Sequence, residues 1–351
     1  MEEILEEEWE KFLVNDNIIP EQVHNINDKS VIPKSSDLYI STKTKISYLS
    51  IPINLQDIFW KLPVVDYHLP KCGIIKKQIK INFTNEEDIN VVEKKLEKQK
   101  YVEQNIITQI MNPEGRIKFK DIRKISIGLC KKDIVSYRTK KKSAFYNCFV
   151  LIIRLLYNDI FREIHVKVFN TGKLEIPGIQ NDNLLDDVLN SLINILKPHT
   201  NENLTYLKDK TETVLINSNF NCGYYINREK LFDILKYKYK INSSFDPCSY
   251  PGIQCEFYYD IKKQINTGQQ MNNTSDANDM DNIYKISFMI FRTGSVLIVG
   301  KCDEYILYNI YEFIKKILHD EYFEIVTNNI DTSIGDKKKK QMRKKIIYVN
   351  E

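Results

Sequence analysis

The chain lacks the features that mark membrane and secreted proteins. Its 351 residues include no run of 18 apolar residues, and the first residues, MEEILEEEWEKFL, are acidic. We therefore expect no membrane-spanning helix and no secretory signal. Its seven cysteines include no CxxC pair and no zinc-binding spacing. This predicts reduced thiols in a cytosol-like compartment, without disulfides or structural zinc.

The signatures of common enzymes are also missing. The sequence has no phosphate-binding glycine loop, no GxSxG and no HExxH motif, and its five histidines are not at ligand spacing. Paired acids such as Asp186-Asp187 fall on the flank of a predicted helix, where a solvent-exposed position is expected. The sequence therefore predicts no enzymatic activity, no cofactor and no metal site.

Charge is concentrated at the two ends of the chain. Residues 1–13 carry six Glu against one Lys, whereas residues 337–345, KKKKQMRKK, carry seven positive charges. Since these ends largely cancel, the remainder is nearly neutral, with two basic stretches at 116–124 and 131–142. Such stretches either form a solvated surface or contact phosphates.

A short phrase occurs twice, as FNTGKLEIPGIQ at 169–180 and FRTGSVLIVGKC at 291–302. Phe, Thr, Gly, Ile and Gly recur in register, at an offset of 122 residues. Each copy follows a strand-like run and precedes an amphipathic helix. This predicts two similar halves, which suit a partner that is itself two-fold-like, such as duplex DNA.

The wider pattern divides the chain into four segments. They are an acidic helix and linker at 1–36, a first repeat at 37–200, a second repeat at 201–325 and a basic tail at 326–351. The first repeat has an insertion at about 84–147, with a charged helix predicted over 86–111. The second has a polar loop at about 260–282, predicted to be disordered.

Each repeat follows the order strand, helix, three strands, helix. This predicts an α+β protein in which curved antiparallel sheets carry their helices on one side.

With these motifs the chain resembles the TATA-box-binding protein family, whose repeats carry Phe-x-Ser-Gly-Lys and then a strand ending in Thr-Gly-Ala. Thr171 and Thr293 take the place of the family's Ser. FDPCSYPGIQCEFYY at 245–259 is similar to the family's strand entry, and DYHLPKCGIIKKQ at 66–78 resembles its first-repeat version. The resemblance covers about residues 39–320, and it looks strongest to the TATA-box-binding-protein-like proteins of large nucleocytoplasmic DNA viruses.

The resemblance implies a pseudo-two-fold saddle and a viral transcription initiation factor. Its concave sheet would lie in the minor groove of A/T-rich double-stranded DNA, with aromatic wedges between base steps. Helices on the convex side would meet RNA polymerase subunits or a TFIIB-like factor. The expected protein is a monomer without membrane contact, in the host cytoplasm or virion. The nucleus is the alternative if the basic tail is an import signal.

Strand alternation assigns the side chains of the DNA-facing surface. The first set contains Phe169 and the second Phe291, both matching the family's wedge phenylalanines. The remaining members are Thr171, Lys173, Glu175 and Pro177 in the first repeat and Thr293, Ser295, Leu297 and Val299 in the second.

The second wedge of each repeat lies at a strand entry. Tyr250 takes this place in the second repeat. In the first, the motif at 66–78 gives Cys72 and FYNCFVLIIRL gives Phe149, and the sequence leaves both open.

Two further positions depart from the family. Glu175 stands where the family has an apolar residue, with Lys173 as the expected partner of its carboxylate. Asn217 is the second-repeat candidate for the family's groove-reading Asn, whereas the first repeat offers only Thr42 and Thr44.

Two hypotheses follow. One is the DNA-binding initiation factor; the other is an interaction scaffold of the transcription machinery with weak or no sequence-specific DNA binding. A non-catalytic role inside a DNA-processing assembly is a third reading.

Overall fold

The computed structural model describes residues 31–136, 146–200, 203–270, 282–327 and 343–344. They form two compact units. The N-terminal unit contains the described residues from 44 to 212 together with 343–344, and the C-terminal unit contains residues 31–43 and 213–327. Residues 37–43, placed in the first repeat from sequence, thus group with the second. Ser36, which directly precedes this segment, bonds to the C-terminal unit. Its carbonyl accepts from the Tyr311 hydroxyl at 2.9 Å, and its amide donates to the Asn221 carbonyl at 2.8 Å.

The N-terminal unit is a sheet with four α-helices. Its strands are β1 (Tyr39–Tyr48), whose first five residues group with the C-terminal unit, β2 (Gly73–Phe83), β3 (Val102–Met111), β4 (Phe119–Gly128), β5 (Val135–Ser136), β6 (Cys148–Tyr157), β7 (Ile160–Phe169) and β8 (Lys173–Ile179). Its helices are α1 (Leu55–Lys61), α2 (Glu86–Leu96), α3 (Lys131–Ile134) and α4 (Asp182–Leu196). The strand order is β1-β8-β7-β6-β2-β4-β3, and β5 pairs separately with Arg343–Lys344.

The C-terminal unit has the same plan with a smaller sheet. Its strands are β9 (Glu212–Asn221), β10 (Tyr225–Ile226), β11 (Asn242–Ser244), β12 (Ile253–Asp260), β13 (Ile283–Ile290), β14 (Ser295–Gly300) and β15 (Val326–Thr327). Its helices are α5 (Arg228–Asp233), α6 (Glu304–Asp320) and α7 (Tyr322–Ile325). The order β11-β12-β13-β14-β9 repeats that of β2-β6-β7-β8-β1, and β10 pairs with β15.

Each unit buries one face of its sheet under its helices. In the N-terminal unit, α1, α2 and α4 share one apolar core with the sheet, and in the C-terminal unit α5, α6 and α7 do the same. The stripes of α4 and α6 match at the 122-residue offset, pairing Leu184, Leu185, Val188, Leu189, Leu192 and Leu196 with Ile306, Leu307, Ile310, Tyr311, Ile314 and Leu318. The predicted α+β class with helices on one side of antiparallel strands is confirmed.

The repeated Thr-Gly turn has the same hydrogen bonds in both units. Gly172 and Gly294 have φ angles of +83° and +80°, which favour glycine. Their amides donate to the Phe169 and Phe291 carbonyls, both at 3.0 Å. The helix after the first strand is also repeated, since Asn54 and Asn227 cap α1 and α5 with the same backbone angles, φ −76° and ψ 100°.

The insertion differs from its prediction. The charged helix expected over 86–111 ends at Leu96, and Val102–Met111 is instead strand β3. This stretch is rich in β-branched residues, which fit a pleated surface better than a helix. The basic stretch that follows contributes β4, which pairs with β2. The insertion therefore widens the sheet of the N-terminal unit by a hairpin.

The polar loop is partly folded. The Asp260 amide donates to the Asn266 side chain at 2.7 Å, and the Tyr258 amide donates to the Gly268 carbonyl at 3.2 Å. Residues 271–281, residues 1–30 of the acidic helix and linker predicted at 1–36, and most of the basic tail lie outside the described residues. Within the described ranges, no helix combines the length and apolarity needed to cross a membrane.

Candidate nucleic-acid interface

The face of each sheet opposite the helices is here called the open face. In the C-terminal unit, β13 and β14 send Ile286, Phe288, Ile290, Val296 and Ile298 to the helix side. The alternate residues form a separate apolar cluster on the open face, consisting of Met289, Phe291, Leu297 and Val299, with Leu215 and Tyr250 packed against it. The structure thus places four predicted site residues together, and their DNA-binding role remains a prediction.

Phe291 and Tyr250 form the aromatic part of this open-face cluster. Their ring centroids are 6.0 Å apart, with the planes tilted by 58°. A Cβ atom on Gly252 would lie 2.7 Å from the Phe291 ring, so the glycine makes room for it. The Tyr250 hydroxyl donates to Met289 Sδ at 3.4 Å. Burial raises the pKa of Tyr250 to about 12, so this ring stays neutral at physiological pH.

Asn217 lies beside this cluster, opposite Val299 in the β9–β14 register. Its side-chain amide donates to Thr42 Oγ1 at 3.3 Å. Its Oδ1 is buried and has no hydrogen-bond partner among the described residues. A buried polar atom without a partner is uncommon and calls for a specific explanation. At the 173-residue offset that relates Asn54 to Asn227, the first-repeat counterpart of Asn217 is Thr44, which is also buried.

The open face of the N-terminal unit is ionic at its centre. Glu175 on β8 lies directly opposite Lys167 on β7, and their charged groups are 2.7 Å apart. The expected partner, Lys173, lies instead with its ammonium 5.8 Å from the centroid of the Phe169 ring. Cross-strand neighbours are closer than residues two apart on one strand, which explains why the prediction chose the wrong lysine.

The ionic pair takes the place of an apolar pair in the other unit. At the offset of 122 residues, Lys167 corresponds to Met289 and Glu175 to Leu297, and each pair is directly opposed in its own sheet. The neighbouring Phe169 and Phe291 also correspond, but Phe169 is partly buried whereas Phe291 is 5% exposed. The two open faces therefore have the same framework and different chemistry.

Each of the two repeated turns carries a Thr residue at its exposed tip. Thr171 and Thr293 are both exposed, and the Thr293 hydroxyl is 3.2 Å from Ser295 Oγ. Thr171 lies two residues before Lys173 in the N-terminal unit, and Thr293 lies in the C-terminal unit.

Neither of the two first-repeat candidates for the entry wedge lies at the position that corresponds to Tyr250. Phe149 is completely buried on the helix side, with its ring centroid 6.2 Å from that of Phe59. Its assignment as a wedge is therefore wrong, because strand β6 turns it away from the open face. Cys72 is exposed but directly precedes β2, which is one strand further from β7.

The strand register assigns this position to Tyr146. Cys148 lies opposite Phe169, and the Ile253–Ile290 pair places Gly252 at the corresponding point of the C-terminal unit. Tyr250 precedes Gly252 by two residues, just as Tyr146 precedes Cys148. The Tyr146 ring is 50% exposed, and the Lys80 ammonium lies 3.5 Å from its centroid. The sequence does contain a signal for this position. In each unit a Tyr stands three residues before the first core residue of the strand, which is Phe149 in β6 and Ile253 in β12.

The inserted hairpin continues the open face with basic residues. Lys80 on β2 lies directly opposite Lys124 on β4, an arrangement of like charges that costs stability. Next to them, the Gln78 side chain donates to Ser126 Oγ at 3.1 Å. This part of the face is suited to an anionic partner.

Among the described residues, no three His, Cys, Asp or Glu side chains lie close enough to hold a metal ion. All seven cysteines are free thiols, and only Cys72 and Cys248 are exposed.

The chain is thus an α+β protein with two repeated units, each of which leaves one face of its sheet open. No family model matches the chain. The chain is 28% identical over 207 residues to a protein of Acanthamoeba polyphaga mimivirus described as TATA-box-binding protein-like, and the match covers 55% of this chain and 53% of the relative. The predicted resemblance to TATA-box-binding-protein-like viral proteins is confirmed by this match.

A solved structure, that of Methanococcus jannaschii TBP, is also similar to the chain. The match has a TM-score of 0.36 and 13% sequence identity, and it covers 82% of this chain and 99% of that one. A structural similarity at this level supports no conclusion by itself.

Proposed function

We propose that this chain is a TATA-box-binding-protein-like transcription initiation factor whose open faces form a saddle over the minor groove of A/T-rich DNA. The observation that carries the proposal is the apolar open-face cluster around Phe291. Architectural proteins that bind the minor groove insert apolar side chains between base steps and unstack them, at a cost of a few kcal/mol for each step.

The surroundings of the cluster support this proposal. Asn217 lies beside the cluster, and its side-chain nitrogen carries two hydrogens, one of which is donated to Thr42 Oγ1. The nitrogen of a side-chain amide at this place can donate to the acceptor atoms that A·T pairs present in the minor groove. Lysines such as Lys80 and Lys173 at the edge of the face suit phosphates, which position a complex without reading its sequence.

The proposal also covers the protein partners of the chain and the compartment in which it acts. RNA polymerase subunits or a TFIIB-like factor would bind the helix side, where Tyr305 and Tyr308 of α6 are exposed. The protein would act as a monomer, without catalysis, in the host cytoplasm or the virion, with the nucleus as the alternative. Seven free thiols fit a reducing compartment.

A gel-shift titration with A/T-rich and G/C-rich duplexes of equal length tests this function. We expect tighter binding to the A/T-rich duplex, and we expect Phe291→Ala to weaken it by about thirtyfold or more, since truncating an aromatic hot-spot residue costs about 2 kcal/mol or more. Tyr305→Ala, on the exposed surface of α6, is the matched control and should bind normally. Weak, salt-sensitive binding of equal strength to both duplexes would contradict the proposed function.

A second candidate function is a scaffold of the transcription machinery with weak or no specific DNA binding. The Lys167–Glu175 pair favours it, because covering this pair with a base edge removes two charges from water at a cost. The same titration separates the two functions. A scaffold would show no preference for A/T pairs and no effect of Phe291→Ala.

A further inference from the structure

The Lys167–Glu175 pair differs in hydrogen-bonding chemistry from its apolar counterpart, Met289–Leu297. The pairs occupy the same position in the two repeats, one strand position away from Phe169 and Phe291 respectively. Glu175 and Lys167 keep side-chain exposures of 20% and 17%, so both are accessible from the open face. The N-terminal unit therefore presents a carboxylate where the C-terminal unit presents a Leu side chain and the weakly accepting Met289 sulfur, which already accepts from the Tyr250 hydroxyl.

The minor groove offers a reason for such a difference. A·T and T·A pairs present only acceptors there, whereas a G·C pair adds one donor, the exocyclic amine of guanine. The Met289–Leu297 pair offers that donor no strong acceptor, since the Met289 sulfur accepts weakly and is engaged by Tyr250, and this costs free energy once the groove is desolvated. A carboxylate can accept a hydrogen bond from it, and the adjacent ammonium offsets the negative charge in the groove and can donate to the acceptor atoms of the bases.

We propose that Glu175, held by Lys167, makes the half of the DNA site contacted by the N-terminal unit accept a G·C pair, while the half contacted by the C-terminal unit requires A·T. This inference rests on the proposed function. It names Glu175 as a specificity-determining residue and makes the preferred site asymmetric, so that the protein binds in one orientation.

The test exchanges the chemistry of one repeat for that of the other. In the wild type, a single G·C pair should weaken binding by about fivefold or more at one position of the C-terminal half, and by less than twofold at the equivalent position of the N-terminal half. The double variant Lys167→Met, Glu175→Leu copies the second repeat's own pair. It should lose the tolerance, so that G·C weakens binding equally in both halves.

Two variants separate this role from general effects. Glu175→Gln keeps an oxygen acceptor and should retain most of the tolerance. The control Glu312→Leu, Lys315→Met removes an exposed ion pair of 2.6 Å on α6 and should leave the pattern unchanged. Thermal unfolding of each variant, measured beside binding, identifies any that fail to fold.

The two exposed thiols allow the halves to be assigned directly. Cys72 belongs to the N-terminal unit and Cys248 to the C-terminal unit, whereas the other five cysteines are buried. An iron chelate attached to Cys72 in a Cys248→Ser protein, or to Cys248 in a Cys72→Ser protein, cleaves the DNA near its own unit. The G·C-tolerant half should be the one cleaved from Cys72.

The outcomes are distinguishable. Binding that demands A·T equally in both halves, or a tolerance that survives the double variant, would overturn this inference and leave the proposed function standing. The absence of A/T-selective binding to any duplex would overturn both.

Discussion

In the repeated turn, the backbone conformation and the close neighbours of one residue, Gly294, require a glycine. Gly294 has a φ of +80°, and a Cβ there would lie 2.3 Å from the Tyr224 carbonyl oxygen and 2.9 Å from Cys222 Sγ. Gly178 has a similar φ of +85°, but its Cβ would meet nothing within 4 Å. The two glycines thus share the strain of a positive φ and differ only in the clash.

Comparing Gly294→Ala with Gly178→Ala separates these two effects. We expect Gly178→Ala to lower the free energy of unfolding by about 1–2 kcal/mol, the cost of a left-handed backbone for an L-residue. Gly294→Ala should lower it by more, because the backbone must also move away from the Tyr224 carbonyl. Urea denaturation of both variants checks this. Equal losses would mean that the turn has more room than the structure gives it.

At the same scale, the sequence could predict which strand residues share a face, because side chains alternate with a period of two. Leu297 and Val299 were placed correctly by this rule. Phe149 is on the opposite face from the one expected, because its position depends on where β6 begins relative to β7. That register is set by pairing between strands, which the local sequence pattern does not contain.

Among the elements, helix α1 ends against a buried lysine of the sheet. Lys77 on β2 is 1% exposed, and its ammonium donates to the carbonyls of Phe59 and Leu62 at 2.8 and 2.7 Å. These belong to the last turn of α1 and the residue after it, where carbonyls lack partners within the helix. Burial lowers the pKa of Lys77 from 10.5 to about 8.

This pKa predicts how stability changes with pH. Between about pH 8 and 10.5 the unfolded chain binds the Lys77 proton more tightly than the folded chain, so this group makes the free energy of unfolding rise with pH in that window. Buried thiols act in the opposite direction, since the pKa of Cys222 is raised to about 12. The prediction therefore concerns the difference between wild type and Lys77→Met.

We expect the free energy of unfolding of the wild type, minus that of Lys77→Met, to increase from pH 7.5 to pH 10. Urea denaturation at both pH values measures it. A flat difference would contradict the depressed pKa of Lys77.

The inserted segment shows the limit of prediction at the scale of elements. Helix α2 could be predicted from its charged and apolar spacing and from Asn85, which caps it. The helix was extended to residue 111 because the apolar residues of β3 also fall near helical spacing. What decides between helix and strand there is pairing of β3 with β4 and of β4 with β2, a long-range interaction that overrides local pattern.

For the whole molecule, the duplication preserves the framework more closely than the surface. The turns, the Asn caps and the helix stripes recur at fixed offsets, whereas the open faces differ at Lys167–Glu175 and Met289–Leu297. Core positions are constrained by packing in both units. The open faces are free to differ, and under the proposed function they differ because each contacts its own half of the DNA site.

Hydroxyl-radical footprinting of the protein, with and without an A/T-rich duplex, tests most directly whether the open faces contact DNA. We expect the duplex to reduce oxidation of Tyr146, Phe169 and Tyr250 on the open faces, while Tyr305 and Tyr308 of α6 remain as reactive as in the free protein. Protection of the α6 tyrosines with no change on the open faces would contradict it.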